Sequence, residues 1–460
     1  MTIVKNHIIP SKSLFIGERN TLNRKAICIF AAIGFFLEDD TYFNEQKTLQ
    51  PAHNYQIEND KIIIEKPYFR WHYTPVERSF EQIVEEFAIL FESIIAEQVD
   101  GKRVILPLSG GLDSRTQAAA LHHLKIPVVS YSYEFDGGHN ETYYSEKIAN
   151  TCNFRFIKKK VPKGYLWDVI EELARINGCY SEFTHPRQMA FKEEYSSMGD
   201  IFSLGHWGDV LFDDMGVPDD LSCREQVEVI LKKIVKKGGW ELAESLWESW
   251  SLEGSFKEYL KERITILLEK INIPQNANAQ IRAFKSLYWA PRWTSTNLSV
   301  FESVKPISLP YYDDRMCEFI CSVPEQYLSG RQIQIAYLKK RMPELAKITW
   351  QDHRPFNLYN YHWNKIPWNI PYRAYNKLSR ILKKQTIIQR NWELQFLGSN
   401  NEDNLKKYLL ESESFCKLIP KEIVQDFYRK FNEENLVYYS HSVSMLLTLS
   451  LFAKIHLNEK

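Results

Sequence analysis

The run Val104-Ile105-Leu106-Pro107-Leu108, the turn Ser109-Gly110-Gly111-Leu112-Asp113-Ser114 and the segment Arg115-Thr116-Gln117-Ala118-Ala119-Ala120-Leu121 follow one another without a break. An apolar run, a glycine turn and helix-forming residues in that order predict a buried parallel strand that breaks tightly into a helix. The turn's backbone N–H groups and the positive end of the helix dipole then converge on one spot, which suits a phosphate or pyrophosphate. Asp113 falls inside that turn, where its carboxylate would repel phosphate unless Mg2+ bridged the two. The plainer reading is an ordinary strand–turn–helix with two turn glycines. No Lys follows the glycines, so the turn is not a Walker loop.

The surrounding pattern extends this unit into a sheet. Ser79-Phe80-Glu81-Gln82 is a capping box that opens an amphipathic helix to about Gln98. Strands are expected over 103–108, 127–133 and 154–161, and helices over 114–124, 140–151 and 165–177. Such alternation predicts an α/β fold, a doubly wound parallel sheet with ligands beyond the carboxyl ends of its strands. Past residue 220 or so the chain turns helical, with segments near 223–237, 239–272, 313–325, 331–343, 375–391, 402–412 and 434–456. Residues 349–372, rich in Trp, Tyr, Asn and Pro, read as an ordered loop able to cover a site. Ahead of the α/β part, Leu22–Leu37 is helix-like, and residues 56–64 read as two short strands around an Asn-Asp turn.

A second strand–turn–helix is written as Ile201-Phe202 followed by Ser203-Leu204-Gly205-His206-Trp207-Gly208-Asp209-Val210-Leu211-Phe212. Asp209 is either a second Mg2+-binding carboxylate or a helix cap. Two carboxylates from separate loops around pyrophosphate suit magnesium, which takes a few carboxylates plus phosphate oxygens. The balance of 58 basic against 58 acidic residues in 460 announces neither a nucleic-acid nor a membrane surface. With 44% apolar and 14% aromatic residues the chain can furnish a large core. Seven cysteines lack any paired or metal-ligand spacing, and Cys317 and Cys321 read as small core residues. Neither a signal-peptide pattern nor an uninterrupted 18-residue apolar run is visible, so a cytoplasmic protein is expected.

The Ser109–Ser114 string resembles the pyrophosphate loop of the ATP pyrophosphatases. Its Leu before the Asp, with later segments, resembles the synthetase domain of asparagine synthetase. Pro310-Tyr311-Tyr312-Asp313 is similar to that family's Pro-Phe-Leu-Asp, and Tyr337 to Leu345 to its Leu-Arg-x-Ala and Leu-Pro segment. Ile348 to Phe356 is similar to a stretch ending in Arg-x-Lys-x-x-Phe. The resemblance implies an ATP-pyrophosphatase fold with a largely helical carboxyl-terminal part. It also implies Mg2+-dependent adenylation of a carboxylate such as aspartate by ATP, then amide formation with ammonia or an amine. ATP or pyrophosphate would lie against Leu108, Ser109, Gly110, Gly111, Leu112, Asp113, Ser114, Ser132, Tyr133, Leu204 and Gly205, with Mg2+ on Asp113 and Asp209. Where the family has a Glu credited with deprotonating the amine, this chain has His206, which is either a base or a structural residue. The family's catalytic Lys falls at His353 beside Arg354; these are either catalytic or loop contacts.

Gly34 to Trp71 resembles the last third of the family's glutaminase domain, with Leu49-Gln50-Pro51-Ala52 at its Leu-x-Pro-Gly turn. The nucleophilic Cys expected after the initiator Met is Thr2 here, so no glutaminase of its own is expected; a separate subunit would have to supply ammonia from glutamine. The resulting division is a glutaminase-like remnant over 1–77, a synthetase-like domain over 78–356 and a helical extension over 357–460. Two other functions fit part of this pattern: a nucleotide-binding pseudoenzyme acting as a scaffold, and an ATP pyrophosphatase that modifies a nucleic-acid base.

Overall fold

The computed structural model describes residues 1–138, 140, 142–375 and 388–457. Its centre is a five-stranded, wholly parallel sheet. Five further short strands precede these: β1 (Thr2–Asn6), β2 (Phe15–Ile16), β3 (Lys47–Thr48), β4 (His53–Glu58) and β5 (Lys61–Pro67). The central strands are β6 (Val104–Pro107), β7 (Val128–Phe135), β8 (Arg155–Val161), β9 (Ile201–Ser203) and β10 (Ile307–Ser308). In register, Val104 lies between Val128 and Ile201, so β6 is the middle strand. The chain runs outward from β6 to β7 and β8, then returns to the other side of β6 for β9 and β10. The order therefore reverses between β6 and β9, and a crevice at the strands' carboxyl ends is expected there.

The helices over this sheet form two sets. Helices α2 (Phe80–Val99), α3 (Asp113–His123), α4 (Thr142–Thr151) and the helix Gln332–Arg341 pack together, whereas α5 (Leu166–Asn177) packs on the helices Ser295–Glu302 and Leu436–His456. Right-handed crossovers put α3 and α4 on one face and send α5 to the other, as two-sided winding requires. Ser79 and Gln82 bond reciprocally as a capping box at the start of α2. One continuous apolar core runs from Ile8 to Ala453.

Several boundaries differ from the sequence expectation, each for a local reason. The helix expected over Leu22–Leu37 is α1 (Arg24–Ile33); Asn23 caps it and Gly34, at φ +84°, ends it by donating its N–H to Phe30. The single segment over 239–272 is two helices, Gly239–Ser249 and Phe256–Ile271, interrupted by positive φ at Ser251 and Gly254. That over 313–325 becomes Asp314–Cys321 and Glu325–Leu328. Most of the helix expected over 375–391 lies outside the described residues. The hairpin forms as β4 and β5, with Asn59 and Asp60 both at positive φ. Helix Ala277–Phe284 and the ten-residue π-helix Lys285–Thr294 were not signalled by periodicity. Leu436–His456 is long and apolar enough to cross a membrane, but most of it is buried within the protein. Cys317 and Cys321 are buried, as expected of small core residues.

Candidate functional site

The two glycine turns emerge side by side, because β6 and β9 are neighbours. In the first, α3 starts at Asp113 with no side-chain cap. The serines replace the cap: Ser109 N–H donates to Ser114 Oγ at 3.0 Å, the two hydroxyls lie 3.0 Å apart, and Gly111 N–H donates to Ser109 Oγ at 3.3 Å. Ser109 faces solvent, whereas Leu108, Gly110, Leu112 and Ser114 are buried. Behind the turn, the fully buried Arg115 donates to four backbone carbonyls, those of Gly110, Leu345, Ile348 and Thr349. Burial lowers its pKa to about 10, so it remains a cation near neutrality.

The second turn is built by steric closeness. A Cβ on Gly205 would come to 3.1 Å from the Asp113 backbone, and one on Gly208 would meet the Asp113 carboxylate, with its Cγ at 2.8 Å, and Tyr311 Cε2 at 2.9 Å. Only glycine lets the turn approach so near. Between them Trp207 adopts φ +79°, costly for a bulky residue. Burial of its indole and the bond from its Nε1 to Ser286 Oγ (3.0 Å) offset that cost. Trp207 precedes the short helix Gly208–Leu211, so Asp209 sits in the first turn and makes no capping bond. Asp209 is exposed to solvent.

Asp113 accepts from Arg331, in an ion pair, and from Gln334 Nε2 at 3.1 Å; Gln334 also donates to Tyr311 Oη at 2.8 Å. Burial, and after it the nearby Asp209 carboxylate, raise the Asp113 pKa to about 6, against the opposing pull of Arg331. For Arg331, burial works against the charge but Asp113 and Asp209 outweigh it, and its pKa is raised. The turns thus place Asp113 and Asp209 within electrostatic reach. Among the described residues no third His, Cys, Asp or Glu completes a metal cluster. Two carboxylates still fit Mg2+, which uses one or two of them and completes its shell with phosphate oxygens and water.

His206 reaches solvent, yet enough protein surrounds it that desolvation lowers its pKa to about 4 against the pull of Asp209, leaving a neutral imidazole near pH 7. His353 stacks on Trp350 with ring centroids 4.0 Å apart, and its Nδ1 has no hydrogen-bond partner. The residue of that segment that meets the first turn is instead Gln351: its Oε1 accepts from Gly110 N–H at 3.1 Å, and its N–H donates to Gly110 O at 3.2 Å. Arg354 is exposed and donates to Gln351 O at 2.9 Å. Ser132 is buried and Tyr133 half-buried near the end of β7, where Arg187 donates to Tyr133 Oη at 3.5 Å. Leu204 is buried and bonds through its N–H to Ser308 O.

Sequence reasoning missed Arg331, Gln334 and Gln351, which reach the turns from more than two hundred residues away. It also missed Lys285, half-buried beside the second turn, whose pKa burial lowers to about 8 while Asp209 opposes the shift. A cavity of about 400 Å3 lies elsewhere, between the amino-terminal segment, the end of α5 and the helix Ser295–Glu302. No residue of either turn lines it, so its size does not make it the site of this chemistry.

No protein-family model matches the sequence, and no curated protein matches it. Solved structures similar in part include an NMN synthetase from Francisella tularensis, at 13% identity and a TM-score of 0.23, covering 43% of this chain and 95% of that one. Another is an NH3-dependent NAD synthetase from Campylobacter jejuni in complex with the nitrate ion, at 16% identity and a TM-score of 0.22, covering 43% of this chain and 98% of that one. Both likenesses span less than half of this chain.

Proposed function

We propose that the protein is an ATP-pyrophosphatase-type ligase, which converts ATP to AMP and pyrophosphate while joining a carboxylate to ammonia or an amine. The observation that carries this reading is the approach of the Gly205–Asp209 turn onto Asp113, which pairs two carboxylates at the mouth of a hydroxyl-lined anion turn. Asp113 and Asp209 would hold Mg2+, which when bound supplies charge neutralisation of the departing pyrophosphate. The uncapped N–H groups at the start of α3, beside the serine hydroxyls of the turn, would bind that pyrophosphate, while Leu108, Ser132, Tyr133 and Leu204 line the ends of the strands beside it. A substrate carboxylate oxygen bonds to the α-phosphorus as the bond to pyrophosphate breaks; the amine nitrogen then bonds to the carbonyl carbon and AMP leaves. His206 is too weak a base to deprotonate a free ammonium, but as a neutral imidazole it can take the far more acidic proton of the cationic adduct formed after attack. Arg354 and His353 follow Gln351 in the chain, where a fixed cation or a neutral ring can meet charge developing on the acyl group. Seven free cysteines fit a reducing cytoplasm.

A binding protein without turnover is the second reading. It is favoured by Gln351 on the Gly110 N–H and Arg331 on Asp113, since both engage groups that the nucleotide would need. Incubation with Mg2+-ATP, ammonium and pooled amino acids, aspartate included, followed by nucleotide chromatography separates the two. AMP and pyrophosphate that appear with one pool support the ligase. ATP bound but intact supports the binding protein, and ADP as product overturns both.

A further inference from the structure

The π-helix Lys285–Thr294 presents Lys285, Trp289 and Trp293 along one face beside the second turn. Lys285 Nζ lies 5.3 Å from the Trp289 ring centroid and 5.9 Å from that of Trp207. From a different element, Lys236 Nζ lies 5.8 Å from Trp289 and 5.9 Å from Trp293. The indoles of Trp207, Trp289 and Trp293 meet edge to face, at 6.5 and 6.2 Å, while Phe35 stacks on Trp289 at 5.9 Å and the His185 ring lies 4.5 Å from that of Trp293. Both lysines are half-buried, and among the described residues neither forms an ion pair; Glu182, Asp209 and Asp213 act on them only at longer range. Trp289 Nε1 is buried with no acceptor. Two partly desolvated ammonium groups and an unanswered N–H around one ring are costly to the folded protein, and an anion with acceptor oxygens would relieve all three. A π-helical turn is itself a device found often at functional sites.

We propose that this face binds the carboxylic acid that the enzyme activates, an acid with a planar apolar body: Lys285 and Lys236 attract the carboxylate, and the sides of Trp289 and Trp293 turned away from Phe35 and His185 pack against the ring. This assignment rests on the ligase reading, because the face adjoins Asp209 and His206 and so lies where the acid would meet the nucleotide. The indoles exclude water around a flat body, which argues for an aryl or heteroaryl acid over a small aliphatic one.

The test uses the full-length protein and calorimetric titration without nucleotide. The probes are indole-3-acetate, its uncharged analogue indole-3-acetamide, and acetate, which lacks the ring. Indole-3-acetate is expected to bind at least tenfold more tightly than either analogue. Lys285→Met and Lys236→Met are each expected to weaken it at least tenfold with a melting temperature no lower than that of the unaltered protein. Trp289→Phe, which keeps a ring but removes the N–H, is expected to weaken it less than either lysine variant. No binding of indole-3-acetate, equal binding of acid and amide, or indifference to both lysine variants overturns the proposal. AMP formation from an acid whose KM ignores Lys285→Met sinks this assignment and leaves the ligase standing. Lysine-dependent binding of the acid, with no AMP from any acid, sinks the ligase and leaves an anion site.

Discussion

The two glycine turns share an outline of strand, turn and helix, but opposite forces build them. The first is woven from hydrogen bonds: two serine hydroxyls and two N–H groups set its shape, an eleven-residue helix follows, and Arg115 ties it to residues 345–349. The second is shaped by what cannot fit: Gly205 and Gly208 press on Asp113, Trp207 is held at positive φ, and the helix that follows has four residues. A turn made by bonding advertises itself in local sequence, since its partners are near neighbours. A turn made by exclusion reveals its meaning only when the surface it presses against is known.

The sharpest attack on this contrast removes charge without changing shape. Asp209→Asn should lower pyrophosphate release at least about a hundredfold, the scale of losing one preorganised electrostatic group, with the melting temperature held. Asp113→Asn should do the same; full turnover in either variant removes that residue from the metal site. Gly208→Ala attacks by volume. Overpacking of this kind costs about 1–3 kcal/mol, and denaturant titration should find it, together with a loss of turnover that the same change at the open Gly216 does not produce.

Acid should expose a further asymmetry. His185 and His441 are held neutral by burial, with folded pKa values of about 3 against an ordinary 6.5. Their contribution to stability is complete above pH 6.5 and is lost as the pH falls towards 3, because only the unfolded chain takes up the protons. Each can steepen the decline by at most about 1.4 kcal/mol per pH unit. His185→Phe should flatten the curve of melting temperature against pH between 6.5 and 4; an unchanged slope would remove His185 as a cause. The smallest effect is expected at Gln351→Ala. Freeing the Gly110 N–H of one neutral hydrogen bond, worth about 1 kcal/mol, should tighten pyrophosphate binding about fivefold. Weaker binding would mean that Gln351 shapes the turn and does not block it.

What the sequence made legible follows from this contrast. β6, α3, β7, β8 and α5 were readable to within a residue or two, because alternating apolar runs and helix-forming stretches encode them locally. The Asp113 and Asp209 turns were readable as strand–glycine–helix units. Their adjacency was not, since it depends on β9 returning to pair with β6 across nearly a hundred residues. Arg331 carries no local signal of its place: it is a left-handed residue at the start of a helix, and only the fold brings it to Asp113. The π-helix was invisible for a related reason, because its widened turn breaks the period of 3.6 on which helix recognition rests.

Arg115 has a consequence beyond holding a loop in place. Four carbonyl oxygens complete most of its donors, but among the described residues it forms no ion pair, and the Asp352 carboxylate acts on it only at longer range: satisfied hydrogen bonds and electroneutrality are separate conditions. A whole positive charge therefore stands one residue layer behind the Ser109–Gly111 backbone, in a medium that polarises weakly and admits few counterions. Salt screens surface lysines over about 8–10 Å, but it has little access to this one. The turn is thus backed by a standing electric field, so its pull on an incoming polyanion should persist at ionic strengths that silence the rest of a surface with no net charge.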